Sequence, residues 1–258
     1  MQVIPFTKNR QFITEHLERA KKFHCPVSAV YEYDVTDLLA RIEAERAKGR
    51  GVSLVSLLVK ATALVMQEHP RMNHHLFKKW FRWFEVDFGQ VSCSLVVLRH
   101  GPAGEEILFP ILIRDANTMT VEEIYDLIKW HKTAPLEEIP QVKAFEKIKK
   151  MSWLKIKLFN YKARSDPKFY SQFFGTYGLS SMVRYGWGPV SGNGIANTAS
   201  GFVPAVIRDM PVVRDGQVVI RKLMNMGIVA DHFLLDGADI DRGMTTLRGY
   251  LESSTLLD

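Results

Sequence analysis

Ala230-Asp231-His232-Phe233-Leu234-Leu235-Asp236-Gly237-Ala238-Asp239 is the stretch around which the chain organises. The apolar run Leu223–Ala230 precedes it and reads as a strand. His232 then falls at the strand end, where a sheet edge holds an imidazole rigidly. Asp236-Gly237 turns the chain sharply and leaves the carboxylate near the histidine backbone. A helix follows from about Asp239 to Leu251. Histidine is the default general base near neutral pH. Taken alone, His-x-x-x-Asp-Gly is equally the pattern of a structural histidine in a turn.

Working outward, the C-terminal third is rich in strands. Val212-Val213-Arg214 and Gln217-Val218-Val219-Ile220 flank Asp215-Gly216, a two-residue hairpin signal. Gly175–Ser181 and Phe202–Arg208 are further strand candidates. Toward the N-terminus, a helix is expected over about Lys8–Phe23, ended by His24-Cys25-Pro26. Val27, Ala29, Tyr31 and Tyr33 alternate as in a strand. Thr36 is expected to cap a helix over Asp37–Lys48 that Gly49 stops. Ser53 is expected to cap the next, Leu54–Glu68, which Pro70 ends. Phe84–Phe88, Val91–Leu98 and Ile107–Ile113 read as strands. Thr120 and Glu123 fit a capping box opening a helix to about Lys132. Residues 141–164 look helical and basic. This mixture lacks regular βαβ alternation, which argues for an α+β fold around a large mixed sheet. No repeat or linker divides the 258 residues, so one domain is expected over 1–258.

Composition narrows the function classes. Hydrophobic residues make up 47% and charged residues 24%, the profile of a globular chain and not of a disordered one. No apolar run reaches the ~18–20 residues of a membrane span, and the opening residues lack a signal-peptide core. Cys25 and Cys93 are the only cysteines, so a reducing, cytoplasmic compartment is expected. Lys plus Arg number 34 against 28 Asp plus Glu, a net charge of +6. That mild excess suits either a slightly basic surface or an anionic partner. No phosphate-loop or Gly-x-Gly-x-x-Gly pattern occurs. His74 and His75 are adjacent and point to different sides of an element, so no metal site is expected. His16, His24, His69, His100 and His131 lack partner spacing and read as structural or surface groups. Phe77, Trp80, Phe81, Trp83 and Phe84 mix with Lys78, Lys79 and Arg82. A strand pair explains these aromatics as core or pocket wall more simply than nucleic-acid binding does, so no nucleic acid is expected as a partner.

The wider context of His232 is more specific. Residues 175–252 resemble the catalytic domain of the dihydrolipoyl acyltransferases of 2-oxoacid dehydrogenase complexes, which shares its fold with chloramphenicol acetyltransferase. Further blocks follow in family order. Pro5-Phe6-Thr7-Lys8-Asn9-Arg10-Gln11-Phe12-Ile13 is similar to the family's opening helix with its arginine. Glu32, Asp34 and Thr36 match its Glu-x-Asp-x-Thr step from strand to helix. His69-Pro70-Arg71-Met72-Asn73 resembles its Pro-x-x-Asn helix end, and Phe109–Ala116 one of its strands and turns.

This resemblance implies a chloramphenicol acetyltransferase-like fold, a mixed β-sheet sandwiched with helices. It also implies acyl transfer from a CoA or lipoyl-type thioester to a thiol, hydroxyl or amine acceptor. No bound cofactor is implied; acyl-CoA is the cosubstrate. His232 corresponds to the general base and Ser180 to the hydroxyl that donates to the oxyanion, with Ser181 the alternative donor. Asp236 corresponds to an orienting carboxylate paired with Arg10. Ser181 and Gly237 fall among the substrate-binding positions. In the family the histidine faces this hydroxyl across a subunit interface, so a homotrimer is implied. A small-molecule O-acetyltransferase and a catalytically silent trimeric scaffold are the alternatives.

The chain also departs from the family. No lipoyl or subunit-binding domain precedes the catalytic blocks, so a role without its own swinging arm is expected. Phe233 stands where complex-forming relatives carry arginine, and Ser181-Met182-Val183 replaces a more usual Asn/Ser-Leu-Gly. Residues 141–170 are longer and more basic than the family's linker. Between 147 and 162 lie Lys147, Lys149, Lys150, Lys155, Lys157 and Lys162, with Trp153, Phe159 and Tyr161. The plainer reading is a helix whose lysine stems snorkel outward. The functional one is a lid or a docking surface for an acidic acyl carrier, a CoA phosphate or an anionic membrane.

Overall fold

The computed structural model describes residues 14, 17, 18, 20–101, 104, 106–190, 198–253 and 255–257. Residues 20–23 are helical and lead into β1 (Pro26–Asp34), α1 (Thr36–Ala47), α2 (Leu54–Glu68), β2 (His75–Lys79) and β3 (Arg82–Val86). Next come β4 (Cys93–His100), β5 (Glu106–Ile113), α3 (Val121–Thr133), α4 (Pro140–Lys149), α5 (Trp153–Ser165) and α6 (Pro167–Phe173). The chain continues through β6 (Tyr177–Leu179), β7 (Arg184–Tyr185), β8 (Ser200–Arg214), β9 (Gln217–Asp231) and α7 (Gly237–Ser253).

Among the described residues a seven-stranded sheet runs β1-β9-β8-β6-β4-β5, with β7 also on β8, and β2-β3 form a separate hairpin. β1, β9 and β8 pair antiparallel, β8-β6 and β6-β4 parallel, and β4-β5 antiparallel. The sheet is therefore mixed, as the irregular element pattern predicts. Its two longest strands are one hairpin. Asp215 and Gly216 both take positive φ, 49° and 76°, which matches the twist of the flanking strands. The sequence separates the hairpin arm 217–220 from the strand 223–230, but one 15-residue strand contains both.

α2 forms the centre of the helical layer. Leu57, Leu58, Val59, Ala61, Ala63 and Val65 are all fully buried. Ser53 starts the helix as expected: its Oγ accepts from the Ser56 N–H at 3.1 Å, while Ser56 Oγ accepts from the Ser53 N–H at 3.0 Å. The Thr120–Glu123 box opens α3 in the same reciprocal way. Tyr177 ties α2 to the sheet, its hydroxyl donating to the Val59 carbonyl at 3.2 Å.

Two local expectations change. Thr36 does not cap α1; it is the first helical residue. Its Oγ1 donates to Asp34 Oδ1 at 2.7 Å and accepts from the Lys222 N–H at 2.7 Å. Asp34 Oδ2 takes Arg221 Nε at 2.7 Å and Arg214 Nη2 at 3.2 Å. The Glu-x-Asp-x-Thr block is thus a lock between the end of β1 and the β8–β9 hairpin. Residues 141–164 form two helices instead of one, because the chain breaks between Lys149 and Trp153.

Candidate active site

β1 and β9 end together, with Pro26 opposite Asp231. Proline has no N–H and is accepted at the first position of a strand. The chain before it supplies the missing bonds. The Cys25 N–H donates to Asp231 Oδ1 at 3.0 Å, and the Cys25 carbonyl accepts from the His232 N–H at 2.7 Å. Asp231 Oδ1 also accepts from the Phe233 N–H, and the Asp231 carbonyl from the N–H groups of Leu234 and Leu235. Nearly every backbone group of the turn is held.

His232 projects from this turn and is exposed within the single chain. Its Nδ1 lies 2.8 Å from the Leu235 carbonyl. A carbonyl only accepts, so Nδ1 carries the proton of the neutral ring and Nε2 carries the lone pair. The turn therefore sets the tautomer that a general base requires, with the basic nitrogen on the far side of the ring.

Asp236 caps α7. Its Oδ1 accepts from Ala238 N–H at 2.9 Å and Asp239 N–H at 3.1 Å, and Asp239 Oδ2 accepts in return from Asp236 N–H at 3.3 Å. These N–H groups hold its carboxyl below the ordinary range. Asp236 is exposed in the single chain. The expected partner Arg10 lies outside the described residues. Among the described residues two arginines meet this turn: Arg71 donates to the Leu234 carbonyl at 2.7 Å and to Asp239 at 3.1 Å, and Arg242 donates to Asp239 at 2.6 Å. Gly237 opens α7, with open space where a Cβ would stand.

Ser180 follows β6 and is exposed; Ser181 is half-buried. The Ser180 N–H donates to the Phe202 carbonyl on β8, whereas the residue before His232 donates to the Ala199 carbonyl. Those anchor points are three residues apart, about 10 Å along a strand, and β6 and β9 flank β8 on opposite sides, another ~10 Å. Within one chain Ser180 and His232 thus follow strands on opposite sides of β8.

Five participants escape sequence reading. His24 donates Nδ1–H to Asp231 Oδ2 at 2.6 Å, and the two side chains are 9% and 0% exposed. Burial pushes the Asp231 carboxyl up, but the bonds from His24, Cys25 and Phe233 outweigh it and hold it below the usual range. His75 is buried beside His24, ring centroids 5.7 Å apart, and burial pulls its pKa down to about 3. Arg71 and Asn160 are the others. Asp231 carried a usable signal, an acid ending an apolar strand; the remaining four are far from the motif in sequence.

Pro70-x-x-Asn73 is structural here. Asn73 is buried, donates to the Gln90 carbonyl at 2.9 Å and accepts from Thr176. Cys93 is buried, which pushes its thiol up to about 12; Cys25 is exposed. Among the described residues no cluster of three or more His, Cys, Asp or Glu side chains suits a metal ion, and no helix is long and apolar enough to cross a membrane.

The sequence pattern of the 2-oxoacid dehydrogenases acyltransferase (catalytic domain) family matches residues 1–134 and 202–257, and the chain belongs to that family. It is 24% identical over 268 residues to the lipoamide acyltransferase component of the branched-chain alpha-keto acid dehydrogenase complex of Pseudomonas putida, covering 98% of this chain and 53% of that protein. The corresponding component of Bacillus subtilis (strain 168) is 24% identical over 258 residues, covering 97% and 52%. The chain thus spans about half the length of these relatives. Among solved structures, a probable dihydrolipoamide acetyltransferase from Listeria monocytogenes 4b F2365 matches with a TM-score of 0.71 at 20% identity, covering 98% of this chain and 95% of that one. The expected fold is therefore the fold observed.

Proposed function

We propose that this chain is an acyltransferase that moves an acyl group from a CoA or lipoyl-type thioester to a thiol, hydroxyl or amine acceptor. The observation that carries the reading is the Nδ1–Leu235 hydrogen bond, which leaves Nε2 of His232 as the free basic nitrogen. In the proposed reaction Nε2 takes the acceptor's proton as the acceptor attacks the thioester carbon. The carbonyl oxygen becomes an oxyanion, to which a Ser180 Oγ–H donates. Such a donor is worth roughly 2.7–4 kcal/mol in the transition state. Collapse breaks the carbon–sulfur bond, and the leaving thiolate recovers the proton from the imidazolium. Asp231 and Asp236 orient the turn and stay ionised. Acyl-CoA is a cosubstrate here, in a reducing cytoplasmic setting.

The placement of Ser180 and His232 after strands on opposite sides of β8 in one chain favours a site shared between copies. His232 would meet Ser180 of the partner subunit, in a homotrimer with three interfacial sites. Large apolar side chains left exposed on one chain support this: Val213, Val218 and Ile220 at the β8–β9 tip, Trp187, and Phe233 beside the base. The whole of residues 1–258 is treated as one catalytic domain, since β1 and β9, from opposite ends of the chain, together build the turn.

The test is a thiol-release assay with several acyl-CoAs against an acceptor panel that includes dihydrolipoamide, paired with sedimentation. Acceptor-dependent release by a trimer is the expected result. A stable monomer with full activity contradicts the shared site, and no release with any pair contradicts the reaction.

A further inference from the structure

A cleft opens between the β2–β3 hairpin and the α5–α6 pair. It lies beside His232 on two counts. His24, on its lining, holds Asp231, the residue before His232. Trp83, also on its lining, has its ring 6.3 Å from that of Phe233, the residue after.

The lining combines aromatic walls with buried polar atoms that have no hydrogen-bond partner among the described residues. His75 stacks on Tyr170 with centroids 4.4 Å apart, and Tyr170 stacks on Phe174 at 4.9 Å. His75 Nδ1 and Asn160 Nδ2 are buried without a hydrogen-bond partner among the described residues. Both residues are more than nine-tenths buried. Native proteins rarely leave such atoms unsatisfied, so each calls for an explanation, of which a ligand is one. A neutral imidazole, which burial enforces at His75, offers one donor, and the amide offers another. Lys78 adds a positive charge, its Nζ 4.6 Å from the Trp83 ring centre. The wall made by Asn160, Tyr170 and Phe174 lies between residues 134 and 202, outside both segments that match the family pattern. Five of the twelve lining residues thus fall outside the segments that match the family pattern.

We infer that this cleft binds the acyl acceptor, and that the acceptor carries an aromatic ring bearing a carboxylate. The ring packs on Trp83 beside the edge of the Tyr170–Phe174 stack; the carboxylate takes hydrogen bonds from His75 and Asn160 and the charge of Lys78. The assignment to the acceptor rests on the acyltransferase reading: the base takes the acceptor's proton, so the acceptor sits on the chain that supplies His232. Binding itself does not depend on that reading.

Calorimetric titration of the full chain with benzoate, and separately with cyclohexanecarboxylate, tests the site without turnover. Benzoate is expected to bind in the millimolar range and at least 10-fold tighter than the saturated acid. Asn160→Leu and, independently, Trp83→Leu are each expected to weaken benzoate at least 10-fold. Trp83 is 45% exposed on a hairpin, so its variant keeps the test available if Asn160→Leu fails to fold. No benzoate heat at about 10 mM, equal affinity for both acids, or unchanged affinity in a folded variant overturns the inference. Benzoate binding without acyl transfer to any acceptor overturns the acyltransferase reading alone. Acyl transfer without benzoate binding overturns the cleft assignment alone.

Discussion

His24 Nδ1 meets Asp231 Oδ2 at 2.6 Å across 207 residues of sequence. The bond joins the end of the opening helical segment to the end of β9, one residue before His232. It anchors the exposed His232 turn on a buried carboxylate that also accepts the N–H groups of Cys25 and Phe233. In the proposed mechanism His24 is therefore a positioning residue. Replacing it by alanine leaves a buried carboxylate with backbone donors only. His24→Ala is expected to lower stability by about 3 kcal/mol, at the low end for a buried pair broken from one side. Chemical denaturation reads that loss. His24→Ala and Asp231→Asn together should lose less than the sum of the two, which a double-mutant cycle measures.

His232→Ala is expected to leave the fold intact and reduce acyl transfer by about 10²–10⁴-fold, the contribution of a positioned general base. The side chain is exposed in one chain, so its removal opens no core cavity. Circular dichroism and turnover on the same preparation check both halves. A folded variant with near-wild-type turnover removes His232 from the mechanism.

Asp34 gives the chain an acid sensitivity. Burial pushes its carboxyl up, but Arg221, both donors of Thr36 and Arg214 outweigh this and bring it down to about 2. A carboxyl with a depressed folded pKa stabilises the fold above its unfolded pKa, near 3.9, and loses that contribution as pH falls through the folded value. The contribution is roughly 2 kcal/mol, fully present at neutral pH and lost between about pH 4 and pH 2. Asp34→Asn should remove it at pH 7 and flatten the stability profile in that window.

Asp236→Ala is expected to lower stability by about 1 kcal/mol, the usual loss for an N-cap. Asp236→Asn keeps an acceptor for Ala238 and Asp239 and should stay within about 0.5 kcal/mol if the cap is its whole role. A loss near 3–5 kcal/mol for Asn instead is the signature of a buried charge pair with Arg10. Thermal unfolding of both variants separates the outcomes.

Gly175→Ala should be poorly tolerated. A Cβ there would lie 2.7 Å from both the Ser92 carbonyl and the Ser94 N–H. These are backbone atoms of β4 and its approach, so no side chain can swing aside. An overpacking loss of about 1–3 kcal/mol is expected, read as a lower unfolding midpoint.

Local chemistry was legible in the chain itself. Ser53, the Thr120–Glu123 box, the Asp215-Gly216 turn and the position of His232 after an apolar strand all depend on neighbours within a few residues, whose backbone geometry residue type dictates. The order of motif blocks likewise carried the family, and with it the fold. Partnerships across the fold were not legible. His24 reads as a structural or surface histidine without a partner until β1 and β9 pair and bring Cys25 against Asp231. Thr36 reads as a helix cap until β9 offers it the Lys222 N–H. The Asn160 amide reads as one polar group on a basic helix until α5 packs over the β2–β3 hairpin and buries it. Sequence periodicity encodes which face of an element is buried, but not which element covers it. That choice is made by strand pairing and close packing over the whole chain, and it decided which polar groups stand around His232.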